Sequence, residues 1–180
     1  MTLSSVVRRI SALALVLGAS AALHAQLPVN NDMWKTRCNV LATSAPTIDA
    51  GSTPAPLVSA TRGIKANDFF VVAVNRADAD QHYVACAMYY LAAISARTGN
   101  GGKADASAAS TYATLASAEL KQAKGESLSM GEYMKRVQMK FNALTGTPLT
   151  LTPAQTSAVI DAAGTMPLLS VPSAGSQASR

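Results

Sequence analysis

Residues 81–96 read QHYVACAMYYLAAISA, and no charged side chain occurs between Asp80 and Arg97. Apolar residues fall on nearly every side of a helix drawn through this stretch, which is typical of a helix buried in a core. The stretch is shorter than the roughly 20 apolar residues of a membrane span, and it contains His82 and three tyrosines. Because Gly99 supplies a C-terminal stop, we predict a central core helix that ends near Arg97.

Upstream of this stretch, the spacing predicts a helix that begins at Asp32, whose carboxylate can cap it, and ends at Pro46. Residues 47–56 are rich in proline and glycine and are typical of a loop. The inward face of this helix is predicted from residues at i, i+4 and i+7: Trp34, Cys38 and Leu41.

Residues 69–74 read FFVVAV and are ambiguous. Their β-branched and aromatic content favours a strand. However, the chain offers no second convincing strand to pair with it, and Asn67 and Asp68 can cap a helix at that point. We favour a helix and leave the strand open. Asp78 and Asp80 precede the central helix, and we expect them to act as helix caps rather than as metal ligands.

Downstream, Asp105 predicts the start of a helix to about Lys124, with Tyr112, Leu115, Ala116 and Leu120 inward. Ser129 and Glu132 form a capping box before a further helix. Thr152, Pro153 and Gln155 begin a last helix, which Gly164 stops. The helix after Ser129 carries six apolar residues at helical spacing: Met130, Tyr133, Met134, Val137, Phe141 and Leu144.

The first residues have the pattern of a cleavable export signal, with Arg8 and Arg9 before the mostly apolar residues 10–23. Cleavage is predicted after Ala25, with Ala21 as the alternative. Residues 1–25 are then a signal peptide, 26–169 a single helical domain and 170–180 a disordered tail. The predicted fold is all-α, a compact bundle of five or six helices with one disulfide. The expected location is periplasmic or secreted, with no membrane anchor after cleavage.

The two cysteines, Cys38 and Cys86, are predicted to form one intramolecular disulfide, because paired thiols persist as bridges in an oxidising compartment. Each lies on the apolar face of a predicted helix, so the two faces can bring them together. Two buried free thiols and a bridge between chains are the alternatives.

The sequence lacks the residue patterns that most catalytic mechanisms and cofactor sites require. Cleavage after Ala25 removes His24 and leaves His82 alone, which argues against a His-containing triad and a zinc site. The glycines of residues 99–103 do not have phosphate-loop spacing. No Gly-x-Ser-x-Gly occurs, and the ten acidic residues fall mostly at helix starts or on exposed faces. We therefore predict no catalytic residue, no cofactor and no metal.

The charge pattern argues against nucleic acid. The formal charge of +5 falls by two when Arg8 and Arg9 leave, and the remaining basic residues are scattered. The densest group, Lys135, Arg136 and Lys140, is typical of a solvated helix face. Four tyrosines are predicted to form a surface for a ligand or partner: Tyr83, Tyr90, Tyr112 and Tyr133. The alternative is that these tyrosines lie at the edges of the core, where their hydroxyls reach water.

The stretch Pro28-Val29-Asn30, followed by Trp34 and Cys38, resembles the N-terminal segment of small periplasmic acid-stress chaperones. Those proteins are helical and carry one disulfide between widely spaced cysteines, but they stop soon after the second cysteine, whereas this chain continues to Arg180. The resemblance favours a chaperone-like role.

The overall prediction is a non-catalytic exported protein that binds a protein or small molecule, as a chaperone-like factor, an inhibitor or immunity-type partner, or a carrier. The alternative is an enzyme that uses carboxylates or tyrosines in a pocket between helices.

Overall fold

The computed structural model describes residues 30–49, 55–100, 102–145 and 150–166, with the backbone alone for 45–49 and 140–145. This part of the chain is all-helical, as predicted. The predicted signal peptide, its cleavage sites and the predicted tail lie outside the described residues. No helix in the described ranges is long and apolar enough to cross a membrane. Within these described residues there are seven helices: α1 (Asn31–Asp49), α2 (Ala55–Ala60), α3 (Ala66–Asp78), α4 (His82–Thr98), α5 (Ala106–Ala123), α6 (Met130–Thr145) and α7 (Pro153–Thr165).

Helix α4 lies at the centre, and every residue from Val84 to Ala96 is buried. It packs most extensively against α5, then α3 and α1. Its alanines carry no bulk beyond Cβ, which lets neighbouring helices approach closely. Gly99 ends the helix in the left-handed conformation with φ 69°, which glycine adopts without steric cost. The core helix predicted from the uncharged stretch is therefore confirmed.

The ambiguous residues 69–74 are helical, because they belong to α3, and Phe69 to Ala73 are buried. The expected caps Asn67 and Asp68 are not used. The helix begins one residue earlier, at Ala66, so both lie within its first turn, and Lys65 occupies the cap position without a side-chain hydrogen bond.

Two prolines are placed differently from the prediction. Helix α1 continues through Pro46 to Asp49, since a proline near the end of a helix interrupts few hydrogen bonds. Pro56 lies in the first turn of α2, where its missing N–H has no helical partner to lose. The buried Leu57 fixes α2 to the core. This short helix occupies part of the predicted loop and accounts for the seventh helix where five or six were expected.

The predicted caps divide into two groups. Asp105, the Ser129–Glu132 capping box and the Thr152–Gln155 capping box form as predicted. Asp78 and Asp80 do not cap α4: Asp78 is the last residue of α3, and Asp80 turns the chain with φ 55°. Aspartate tolerates this left-handed conformation better than most residues, which explains its place in the turn. Two helix ends also differ from the prediction. Asp32 was expected to cap α1 and lies inside it, and Gly164 was expected to end α7 and lies inside it.

The disulfide between Cys38 and Cys86 joins α1 to α4, with the Cα atoms 5.7 Å apart. Both cysteines are fully buried. The predicted intramolecular pairing is confirmed.

Arg37, the neighbour of Cys38, fixes the last helix to the first. Its buried guanidinium donates hydrogen bonds to the carbonyls of Gly164 and Met166, at the C-terminal end of α7. A cation there complements the negative end of the helix dipole. Burial lowers the pKa of Arg37 from its ordinary value, but arginine remains charged in proteins.

Candidate functional site

Helix α6 exposes an apolar stripe. Met130 is 75% exposed, Tyr133 54%, Met134 55% and Val137 43%. Their spacing of i, i+3, i+4 and i+7 places them on one side of the helix, and we call these four residues the α6 face. A stripe with this spacing usually packs into a core, whereas here it is open. The spacing was visible in the sequence, but its exposure was not.

The opposite, polar edge of α6 attaches the helix to α5. Lys121 Nζ lies 2.7 Å from Glu132 Oε1, and Arg136 Nε lies 2.8 Å from Glu119 Oε1. Glu132 and Arg136 are one turn apart, so they share an edge of α6. The ion pairs therefore hold the polar edge against the bundle, and the α6 face is left pointing away from it. Arg136 was predicted on a solvated face and is instead mostly buried in an ion pair.

Glu119 is the centre of a buried charged group. Its side chain is 1% exposed, and its two carboxylate oxygens contact different helices. Oε2 lies 2.7 Å from His82 Nδ1 on α4, and Oε1 faces Arg136 on α6. The Arg136 Nε–H is not aligned for a hydrogen bond with this oxygen, so the contact is an ion pair. We call His82, Glu119 and Arg136 the Glu119 cluster. Glu119 is an exception to the prediction that the acids lie mostly at helix starts or on exposed faces.

Aromatic side chains surround the neighbouring core. Phe70 stacks obliquely with Tyr89 and Tyr112, at centroid distances of 6.0 and 5.5 Å. Burial raises the pKa of the Tyr89 phenol far above its ordinary value, and the negative charge of Glu119 raises it further. Burial also raises the pKa of Tyr112, with a smaller contribution from Asp105. Both phenols therefore stay neutral and act as packing groups near neutral pH.

The four tyrosines predicted as a surface lie in different environments. Tyr90 is buried, Tyr83 and Tyr112 are half-buried, and Tyr133 is exposed. Tyr133 belongs to the α6 face, while the others lie on α4 and α5. A single surface made of all four stays a prediction. Among the residues with described positions, no three His, Cys, Asp or Glu side chains converge to hold a metal ion.

Glu132 provides a pH-dependent test of how α6 is attached. The hydrogen bond from Lys121, followed by those from the Ser129 backbone N–H and hydroxyl, lowers the pKa of Glu132 to about 2. A carboxylate whose pKa is lowered on folding contributes stability above its unfolded value of about 4.3. This contribution is lost as the pH falls from there through about 2.

We expect NMR titration of the Glu132 carboxyl carbon to show this low midpoint, and Lys121→Met to raise it because the largest cause is removed. A Glu132 midpoint near 4.3 in the unsubstituted protein would contradict the observed attachment of α6.

Comparison with known proteins gives no information about the function of this chain. No protein-family model, no curated protein and no solved structure matches this chain. The short resemblance of Pro28 to Cys38 to acid-stress chaperones therefore gains no support from these comparisons. The α6 face and the Glu119 cluster are the two features from which a function can be argued.

Proposed function

We propose that this chain is an exported, non-catalytic protein that acts by binding another protein through the α6 face. One observation carries the proposal: a four-residue apolar stripe is exposed on a helix whose polar edge is the edge that packs on the bundle. Exposed apolar surface has a free-energy cost in water of about 25 cal/mol for each Å². A contiguous patch of this kind marks an interaction surface more often than a bare exterior.

Export is supported by two features of different kinds. The chain begins with a basic and then apolar stretch of signal type. Its two cysteines form a disulfide, which persists in oxidising compartments such as the bacterial periplasm. The proposed partner is therefore a protein of the periplasm or of the extracellular space.

Affinity capture from periplasmic extract tests the proposal when wild type and a face variant are compared. The variant M134S/V137S removes apolar surface at two exposed positions, so the fold is expected to survive. The matched control is Lys135→Ser, an exposed position of the same helix that has no i+3 or i+4 relation to any residue of the stripe. We expect a discrete partner retained by wild type and by Lys135→Ser and lost from M134S/V137S. Identical retained proteins in all three samples would contradict the proposal.

An enzyme remains the second candidate, because Glu119 contacts His82 Nδ1 at 2.7 Å. A carboxylate that accepts from Nδ1–H leaves Nε2 as the basic nitrogen of a neutral imidazole. His82 is 18% exposed, so a small substrate can reach it. However, Nε2 has Asp80 Oδ1 at 3.8 Å, and the contacts of the cluster are those of a helix attachment.

Replacing His82 with Gln separates the two candidates. We expect His82→Gln to leave partner capture, and any measurable turnover, within a few-fold of wild type. A loss of turnover of about a hundredfold, with an unchanged circular dichroism spectrum, lies in the range for removing a general base. That result would favour the enzyme and overturn the non-catalytic proposal.

A further inference from the structure

We infer that α6 is a latch that opens separately from the rest of the bundle, and that two ion pairs to α5 hold it closed. The pairs are Lys121–Glu132 and Glu119–Arg136. Opening leaves the other helices folded, but it unravels α6, so the residues of the α6 face no longer share one side. The latch therefore controls the α6 face, whatever protein binds there.

The edge of α6 that faces the bundle is held mainly by charge. Among residues 130–139, whose side chains the structure describes, none is buried and three are half-buried: Glu132, Arg136 and Met139. These three are spaced i, i+4 and i+7, so they share one edge of the helix. Two of them form the ion pairs to α5, the helix on which α6 mainly packs. Little apolar burial, the main force that fixes a helix to a core, thus holds this part of α6.

The neighbouring helices are attached by buried apolar side chains. Helix α4 is buried from Val84 to Ala96, α5 buries Leu115 among others, and α7 buries Val159 and Ala163. Segments of a native protein that have few buried apolar contacts open at the lowest free energy. We therefore expect α6 to open while the core around α4 stays folded.

Glu132 couples the attachment of α6 to its folding. Its Oε1 accepts a hydrogen bond from Lys121 at 2.7 Å, and its Oε2 accepts from the Ser129 backbone N–H and hydroxyl at 2.9 and 2.8 Å. One side chain thus ties α6 to α5 and caps its first turn. Isolated helices of about 15 residues are marginal in water even when they are rich in alanine, and α6 has 16 residues with one alanine. Release from α5 should therefore unravel the helix.

Opening does not strand the charge of Glu119. After Arg136 leaves, Glu119 Oε2 keeps its contact with His82 Nδ1 at 2.7 Å, and water can reach the oxygen that Arg136 covered. A buried charge left without a partner is the main cost of breaking a buried ion pair. Because His82 stays in place on α4, this cost is reduced, and the latch can open and close reversibly.

Ionic strength should set how often the latch opens. Lys121 is 37% exposed and Arg136 19% exposed, so dissolved ions can approach the cation of each pair. The Debye length falls from about 10 Å at 0.1 M salt to about 3 Å at 1 M. Salt therefore weakens the attraction that closes α6, while the apolar contacts of the core remain.

Hydrogen exchange followed by mass spectrometry measures the opening in the full mature protein with its disulfide intact. Relative to an unfolded chain, we expect the amides of residues 134–139 to exchange at least about a hundredfold faster than those of residues 84–96. About 1 M salt should raise the α6 rate several-fold. Arg136→Gln should raise it about tenfold or more. The matched control, Lys135→Gln, removes an exposed charge of the same helix and should leave it unchanged. If Arg136→Gln does not fold, Lys121→Met tests the other pair, with the exposed Lys124→Met as control.

Val72→Ala distinguishes a separate opening from unfolding of the whole domain. Val72 is 1% exposed in α3, so the substitution leaves a cavity in the core and should speed exchange in α4 about tenfold or more. The α6 rate should not change, because opening of the latch leaves this core folded.

Four outcomes would overturn the inference. They are equal protection of α6 and α4, equal acceleration of both helices by Val72→Ala, an α6 rate that salt does not change, and an Arg136→Gln rate no higher than that of Lys135→Gln. None of these measurements uses a partner, whereas capture from extract depends on Met134 and Val137. The latch and the proposed function can therefore fail independently.

Discussion

Replacing both cysteines with serine is expected to lower the free energy of unfolding by about 4 kcal/mol. The bridge joins residues that are 48 positions apart, so it removes much of the freedom of the unfolded chain. The loop that it closes includes α2 and α3, whose buried residues complete the core around α4. A typical domain has a net stability of about 5–15 kcal/mol, so the loss is a large share of the total.

Urea denaturation of wild type and C38S/C86S measures the difference. Wild type in reducing agent is the matched control, since it breaks the same bond without introducing hydroxyls into the core. Both should unfold at lower urea than the oxidised protein, and thiol titration of the denatured, unreduced protein should find no free thiol. A shift below about 1 kcal/mol, or two free thiols in each chain, would show that the bridge does not hold α1 to α4.

Replacing Glu119 with Gln is expected to lower the free energy of unfolding by about 3 kcal/mol. Glu119 is 1% exposed and supplies the negative charge that Arg136 faces. Removing one partner of a buried pair leaves the other charge uncompensated, which is more costly than losing the pair as a whole. Because His82 and Arg136 are partly exposed, the lower end of the usual range applies.

Glu126→Gln is the control for this substitution, since Glu126 is an exposed acid in the connector between α5 and α6. We expect it to change stability by less than about 0.5 kcal/mol. A double-mutant cycle of Glu119→Gln with His82→Gln should show coupling of about 1 kcal/mol, because the two side chains are in contact. A Glu119→Gln variant as stable as Glu126→Gln would contradict the buried position of the carboxylate.

The core could be predicted from the sequence because its signals are local. The uncharged residues 81–96 predict α4, and Ser129 with Glu132 predicts the start of α6. Each signal needs only the residues of one turn or one helix. Asp78 and Asp80 show the limit of such signals, because an aspartate before a helix can either cap that helix or lie in a turn. Here α3 extends to Asp78, so Asp80 lies in the turn between α3 and α4.

The candidate site could be predicted only in part, because its properties depend on which helices meet. Periodicity shows that α6 has an apolar face, but it does not show whether another helix covers that face. Glu119 left a signal: it lies one turn after Leu115 and Ala116, on the side of α5 that was predicted to be inward. A carboxylate on an inward face needs a partner, yet neither His82 nor Arg136 is near it in the sequence.

Oxidative footprinting of the native, disulfide-bonded protein tests the exposure of the α6 face most directly. Mild peroxide converts accessible methionines to sulfoxides, and peptide mass spectrometry reports the rate at each position. Met130 and Met134 are exposed, while Met88 and Met166 are buried. We expect Met130 and Met134 to oxidise many times faster than Met88 and Met166, with the difference abolished in denaturant. If Met130 and Met134 are as protected as Met88, the face packs inside the protein, and it is not available to bind a partner.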